Sequence, residues 1–399
     1  MDRNRDGVLS RSEFRGPAQV FSDMDTDGDG KVTKTEMRSF HEKRRKSGDG
    51  RSRSSVGGSY PDLVVATHDA DKSWKGNVIF VDNRGKRVVE VDRTGKVVWQ
   101  AALPAEIIRR SRAEGGPKGK PKGGCAAMVS DVELLPGGTM LIMAGGRGVY
   151  ELNRKGEVVW SYENPAVSHD VDRLPNGDTV MACALAEALS EFPYDDPQAI
   201  AVNKQGKIVW KWQAKDEYLE SMYKDVRSRD GGDWTHVNSV QRLDDGNTLV
   251  SVRNWNLLVA VDRNGMTNWM TGGDKEPHCP HTPLMLDDGT IIVSEPINGR
   301  VVIWDPKKQS TVWEWPKKTW REGGDYYFFR AAWPLPNGNI FMIDSCGQFF
   351  EVTRTGDIVW NAKKPGYQRR SHPLKLEELP THACFFNADV RGLEPYGGR

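Results

Sequence analysis

The sequence predicts an all-β protein, a six-bladed β-propeller, behind a small N-terminal α-helical module. Three observations carry this. A strand closing in Trp recurs six times. A Gly turn recurs in most of these units, with a polar residue eight positions before it. Two acidic loops of one spacing stand before the first unit.

The recurring strands are GKVVW at Trp99, GEVVW at Trp160, GKIVW at Trp210, GMTNW at Trp269, STVW at Trp313 and GDIVW at Trp360. Their Trp residues are roughly 44 to 61 apart, near the period of propeller blades. Each unit holds about four short β segments bounded by turn residues, and six four-stranded units suit six blades. The Trp side chains are expected to fill the space between blades.

The N-terminal loops fit D-x-[DN]-x-[DN]-G-x5-E, the EF-hand pattern. The first offers Asp2, Asn4, Asp6, the Val8 carbonyl, Ser10 and Glu13. The second offers Asp25, Asp27, Asp29, the Lys31 carbonyl, Thr33 and Glu36. Calcium wants about 6–8 oxygens, and this spacing wraps side-chain and backbone oxygens around one point, with Gly7 or Gly30 permitting the sharp turn. Val8 and Val32 are expected where paired loops exchange a short strand. The domains expected are an EF-hand pair over 1–42, a flexible Gly/Ser-rich linker over 43–59 and the propeller over 60–399. The chain opens inside the first loop, so a longer natural N-terminus or a removed leader is expected.

Composition narrows the function. With 56 basic and 55 acidic residues the net charge is +1, which gives no global field for nucleic acid. No apolar run approaches the length of a membrane span. Five scattered Cys without a CxxC pair make neither a zinc ribbon nor a dense disulfide framework, although one distant disulfide stays possible.

The turn glycines Gly138, Gly177, Gly246, Gly289 and Gly338 set a register. Eight residues before each stand Ser130, His169, Asn238, His281 and Arg330, and the same count from Gly76 gives His68. Equivalent positions share one ring, expected just before the innermost strand of each blade, at the mouth of the central channel. An apolar core does not explain a polar ring rich in His and Arg, whereas a binding site does. Asp170, His236 and His278 lie close to it in sequence.

Three segments then give a family resemblance over about residues 60–395: SHDVDRLPNGDTVMA, THVNSVQRLDDGNTLVSVRN and MTGGDKEPHCPHTPLMLDDGTIIVSEPING. They resemble the arylsulfotransferases, periplasmic six-bladed propellers. The resemblance implies transfer of a sulfuryl group from an aryl sulfate to a phenol through a sulfo-histidine, without a cofactor. It implies His281 as nucleophile, with His169, His236, Asn238 and Arg253 binding and polarising the sulfate. It also implies export, which suits weak calcium loops. The chemistry agrees: a sulfate ester spreads one charge over three oxygens, so its transfer depends on positioning and charge stabilisation. Arg253 and Arg330 can donate paired hydrogen bonds to it, and His68, His278, Asp170 and Tyr326 are further candidates for substrate contact. Thr282 stands where the family usually has an acidic residue.

Two other functions stay open. One is a lyase or hydrolase of anionic glycans, with Zn or Mn held by His169, His236, His278 and His281 and a Tyr326 or Tyr327 phenol moving the proton. The other is a propeller that binds a ligand without turning it over. Oligomeric state is not encoded in any readable feature.

Overall fold

The computed structural model describes residues 8–11, 13, 18–33, 35–37, 39, 60–83, 85–108, 129–183, 197–214, 235–273, 276–325, 327–344, 347–365 and 388–389. The chain divides into two compact units, Met1–Gly58 and Ser59–Arg399. The linker expected over 43–59 lies outside the described residues, as do Asp2, Asn4, Asp6 and Tyr326.

In the first unit, β1 (Val8–Ser10) and β2 (Lys31–Thr33) flank the helix α1 (Ala18–Met24) and pair antiparallel. Leu9, not Val8, stands opposite Val32; Val8 faces Thr33. Leu9 is the eighth residue of a loop that begins at Asp2, as Val32 is of the loop that begins at Asp25. Leu9 and Val32 are buried with Phe21 and Met24 in a small core.

The second unit is a six-bladed β-propeller. It opens with β3 (Val64–His68). Blade 1 contains β4 (Val78–Asp82), β5 (Arg87–Val91) and β6 (Val97–Ala102), followed by the short helix α2 (Ala105–Ile108). Blade 2 is β7 (Val129–Leu134), β8 (Met140–Ala144), β9 (Gly148–Leu152) and β10 (Val158–Glu163). Blade 3 is β11 (Val167–Arg173), β12 (Thr179–Cys183), β13 (Ala199–Val202) and β14 (Ile208–Trp212). Blade 4 is β15 (Val237–Arg242), β16 (Thr248–Val252), β17 (Leu257–Val261) and β18 (Thr267–Gly272). Blade 5 is β19 (His281–Met285), β20 (Ile291–Glu295), β21 (Arg300–Asp305) and β22 (Ser310–Trp315). Blade 6 is β23 (Phe329–Pro334), β24 (Ile340–Asp344), β25 (Gln348–Val352) and β26 (Ile358–Lys363). The last strand, β27 (Ala388–Asp389), returns to blade 1.

Patterning explains the radial order. Second strands such as MLIMA and TLVSV are buried at every residue, because both faces meet neighbouring blades. Outer strands such as VVWSYE alternate, with Val159 exposed at the rim. First strands of successive blades touch one another around the axis. Tight turns join first and second strands; Gly177, at φ +87°, takes a left-handed conformation that a side chain would resist.

Both termini close the ring. β27 pairs with β4 as the inner strand of blade 1, and β3 pairs with β26 as a fifth, outer strand of blade 6. This relocates His68. Expected on the ring, it sits exposed at the end of β3, paired with Trp360 on the outer edge of blade 6. Blade 1 borrows its inner strand from the C-terminus, so a count back from Gly76 lands in the wrong blade.

The repeat Trp residues bridge blades, as the sequence suggests. The indole N–H groups of Trp160, Trp210, Trp313 and Trp360 donate to Lys204, Asp262, Arg354 and Arg93 carbonyls in the following blade, at 2.7–2.9 Å. Carboxylates add further staples. Asp131 Oδ2 accepts from Val171 N at 3.2 Å, and Asp170 Oδ2 accepts from Val240 N at 2.9 Å.

Candidate functional site

The ring residues stand within the first strands rather than before them. Each of these strands breaks register with its neighbour at one place: between Val129 and Asp131, Val167 and Val171, Val237 and Ser239, His281 and Leu284, and Phe329 and Ala331. The register skips Ser130, His169, Asn238 and Arg330 at these bulges, and His281 begins the fourth. A β-bulge releases a residue from the ladder and re-aims its side chain. A bulge at one register in successive blades therefore presents successive side chains to one place.

His169, His236 and His281 meet there. The His169 ring centroid is 4.9 Å from that of His236 and 5.9 Å from that of His281. His169 and His281 are buried, and His236 is half-buried. Burial holds both the His169 and His281 imidazoles well below the usual range, reinforced by the neighbouring His rings and by Arg330 and Arg253. Both are neutral at neutral pH. Arg253 belongs to a short 3-10 turn, Arg253–Trp255, directly after β16.

The backbone here is held in uncommon conformations. Among the described residues, seven non-Gly positions have positive φ, and five of them are here: His169 (+74°), His236 (+48°), Asn256 (+55°), Cys279 (+48°) and Thr282 (+46°). Such conformations cost on the order of 1–3 kcal/mol each and persist only where the surroundings fix them. The fixings are visible around His281. Glu276 bonds Arg300 at 2.5 Å and Thr311 at 3.0 Å. The His278 N–H donates to Glu295 at 2.6 Å and the Cys279 N–H to Asn256 Oδ1 at 2.8 Å. Asn238 Nδ2 donates to the Pro280 carbonyl at 3.2 Å. Three consecutive backbone positions before His281 are thus clamped to two other strands and a turn, with the Glu276 side chain tied to two strands of blade 5, a preorganised support for one side chain.

The protonation pattern of His281 follows from two bonds. Thr282 Oγ1 donates to the Arg330 carbonyl at 2.9 Å and lies 3.3 Å from His281 Nδ1. A hydroxyl has one hydrogen, and a carbonyl can only accept it. Toward His281 the hydroxyl is therefore an acceptor, Nδ1 carries the proton, and Nε2 keeps its lone pair. That Nε2 is buried and has no hydrogen-bond partner among the described residues.

Other predicted residues take different places. Asn238 is engaged at both ends, since its Oδ1 accepts from Ser251 while Nδ2 holds Pro280. Asp170 Oδ2 accepts from Val240 N of the next blade, which gives its carboxylate a part in stapling the blades. His278 is half-buried, its ring held below the usual range by burial against the opposing pull of Glu295. The metal set expected of His169, His236, His278 and His281 does not assemble. Among the described residues, the one group of three or more such side chains with ligand atoms within 4.8 Å of one another is Asp25, Asp27 and Asp29. Thr282, Ser251 and Asn256 escape sequence reasoning, because each acts through a partner on another strand.

The acidic loop fits calcium. Asp25 Oδ1 is buried without a partner beside Asp27 and Asp29. Glu36 accepts from Thr33 N at 2.9 Å and Thr33 Oγ1 at 2.8 Å, and from Thr26 N and Oγ1, which lowers its carboxyl to about 2. Glu13 repeats the device with Ser10 N and Oγ at 3.0 and 2.7 Å. These oxygens, with the Lys31 carbonyl, would hold the ion.

Comparison with known proteins decides the family. The arylsulfotransferase (ASST) model matches residues 63–319, well over half of the chain. The chain belongs to the arylsulfotransferase family. The match spans blades 1 to 5 apart from β27, so Arg330 of blade 6 lies beyond it. An EF-hand model matches residues 1–16 and 18–41 of this arylsulfotransferase-family chain. No curated protein matches closely enough to count as a relative. A solved protein of unknown function from Bacteroides caccae is 15% identical, with TM-score 0.52, covering 74% of this chain and 97% of its own. Virginiamycin B lyase from Staphylococcus aureus, in a catalytically inactive form with quinupristin, is 11% identical, with TM-score 0.47, covering 77% and 90%. The first likeness bears on fold alone. Among the described residues no helix is long and apolar enough to cross a membrane.

Proposed function

We propose that this arylsulfotransferase-family chain moves a sulfuryl group from an aryl sulfate to a phenolic acceptor, with His281 as nucleophile. The observation that carries the reading is the buried, unpartnered Nε2 of a neutral His281 whose other nitrogen is tied to Thr282. The Nε2 lone pair attacks sulfur, the bond from sulfur to the aryl oxygen breaks, and the phenolate leaves with that electron pair. A second phenol then loses its proton and attacks the sulfo-histidine, returning the lone pair to Nε2. His236, half-buried beside His169, is placed to take that proton. Arg330 and Arg253, near enough to depress the His281 imidazole, neutralise the charged equatorial oxygens. The His169 ring lies beside those of both His236 and His281.

Thr282 supplies the hydrogen-bond acceptor that orients the imidazole, and it partly offsets the charge that develops on the ring when Nε2 forms its bond to sulfur. The small aryl sulfate and phenol are the partners this geometry suits. Calcium in the N-terminal loops, and export to a compartment rich in calcium, complete the reading.

The test is 4-nitrophenyl sulfate with and without a phenol acceptor, beside His281→Ala. Nitrophenol release that depends on acceptor and is lost in the variant supports the reading. Release that survives His281→Ala removes His281 from the nucleophile's role, and absence of release in the native protein overturns the reading.

A further inference from the structure

The gaps between blades repeat a three-residue unit, and one copy of it is incomplete. On each third strand one residue lies opposite the repeat Trp. It is Glu90 opposite Trp99, Glu151 opposite Trp160 and Glu351 opposite Trp360. In each of these gaps the next blade sends one Arg that stacks on the Trp and pairs with the Glu. Arg154 lies 4.8 Å from the Trp99 ring and 2.6 Å from Glu90. Arg173 lies 4.5 Å from Trp160 and 2.9 Å from Glu151. Arg93 lies 4.1 Å from Trp360 and pairs with Glu351. The cation is thus stacked on one side and neutralised on the other, which a buried charge requires.

Two gaps dispense with the carboxylate by filling its place with hydrocarbon. Ile303 stands opposite Trp313, over which Arg354 of the next blade lies at 6.0 Å, and Ala260 opposite Trp269, where Met285 of the next blade packs in place of an Arg.

Between blades 3 and 4 the exchange is only half made. Ala201 stands opposite Trp210, so the Glu is missing. The cations remain, and there are two. Arg242 matches Arg173: it stacks on Trp210 at 5.0 Å and donates to its own turn carbonyl, Gly246 O, at 2.9 Å, as Arg173 does to Gly177 O at 3.2 Å. Arg263 matches Arg154, the second residue of the same turn one blade on. The two guanidinium groups repel each other enough to lower Arg242, after burial. Among the described residues no carboxylate lies within ion-pair distance of either, although the Asp178 charge partly offsets the repulsion at Arg242. In place of the Glu side chain lies a cavity of about 470 Å³ bounded by Trp210, Ala201, Leu174, Val209, Arg242 and Arg263.

We propose that this cavity is a binding site for a small carboxylate with an apolar body, whose carboxylate takes the position held by Glu90, Glu151 and Glu351 in the complete units. Arg242 Nη2, the counterpart of the Arg173 Nη2 that pairs with Glu151, and the Arg263 guanidinium donate to its oxygens, and the planar fork of Arg suits a planar carboxylate better than a tetrahedral anion. Trp210, Leu174 and Val209 receive the body, and the volume is that of an ordinary small-molecule site. Asp178 and Asp244 also line the cavity and offset the two cations. Long-range attraction is therefore weak, and recognition rests on direct bonds to the guanidinium groups. The site lies between the outer strands of blade 3 and the turns of blade 4, apart from the ring, and does not depend on the proposed sulfuryl transfer.

The experiment follows the Ala201 methyl signal by NMR in alanine-labelled protein while benzoate is added, with sodium sulfate as the tetrahedral control. The expected result is a saturable shift with benzoate that sulfate does not reproduce, weakened about tenfold or more in Arg242→Met, a side chain the next gap already tolerates. In parallel, Ala201→Glu, which completes the unit from within, is expected to melt above the native protein without ligand and to lose the further rise that benzoate gives the native protein. An unmoved Ala201 signal, a shift unchanged in Arg242→Met, or a sulfate shift as strong as that of benzoate overturns the proposal.

Discussion

The Thr282 hydroxyl stands between the His281 Nδ1, 3.3 Å away, and the Arg330 carbonyl, 2.9 Å away, and so receives a hydrogen from the first because it gives its own to the second. This relay links blades 5 and 6 through the nucleophile proposed for the reaction. Thr282→Val keeps the side-chain shape and removes the acceptor. A hydrogen bond of this kind is worth about 1 kcal/mol, so kcat with 4-nitrophenyl sulfate should fall about fivefold, with KM little changed and Thr282→Ser restoring the rate. A fall in KM-dependent binding alone would place Thr282 in substrate contact instead.

The depressed imidazoles set the pH dependence. His169 and His281 are pushed down chiefly by burial, so their neutral form persists well below pH 6.5. The acid limb of kcat/KM should therefore lie below the ordinary imidazole value of about 6.5. A limb at or above 6.5 would mean that His281 is not held neutral.

The same groups act on stability with a definite sign. Each folded-state pKa lies below the unfolded one, so between the two the unfolded chain binds more protons. Stability is full above about pH 6.5 and is lost as pH falls toward the depressed native value. At pH 5 the loss is up to about 2 kcal/mol for each fully neutral His, from an unfolded value near 6.5. Urea unfolding of His169→Asn at pH 7 and pH 5 should show a smaller loss than the native protein. Asn also tolerates the +74° φ at this position, which keeps the comparison clean.

The ring was legible because a bulge recurs at one distance from one turn, which makes counting back from Gly177, Gly246, Gly289 and Gly338 a spatial operation. His68 defeats the count, since the inner strand of blade 1 comes from the far end of the chain and the register of a closing strand is not written in its neighbours. Asp170 looks like a site residue beside His169, yet its carboxylate serves Val240, 70 residues on. The Thr282 relay and the Asn256 clamp depend on bonds across strands, and no spacing rule reaches them. The missing carboxylate at Ala201 is in the sequence, but it stands out only when register places it with Glu90, Glu151 and Glu351.

Asp170 separates a staple from a substrate contact. Asp170→Ala leaves the Val240 N–H without its carboxylate, at a cost of about 1–3 kcal/mol. For a chain of this size that should lower Tm by several degrees, read by differential scanning calorimetry at a fixed scan rate. Turnover at a temperature well below the transition should keep a near-native KM. A large rise in KM with an unchanged Tm would return Asp170 to the substrate.

The second calcium loop makes the last prediction. Asp25, Asp27 and Asp29 converge, and Glu36 is already ionised and aimed by four bonds from Thr26 and Thr33. Because the Glu36 carboxyl lies at about 2, it carries its charge throughout the range from pH 5 to 8 and has no proton to release when an ion binds. Glu36→Gln removes one charge and a bidentate ligand while keeping the shape, and should weaken calcium binding by tenfold or more in calorimetric titration, as should Asp25→Ala. Nitrophenol release at ambient temperature should be unchanged in both variants, since no part of the proposed transfer runs through the loop. Calcium affinity that is indifferent to both substitutions would assign any binding to other oxygens and leave this loop an acidic turn.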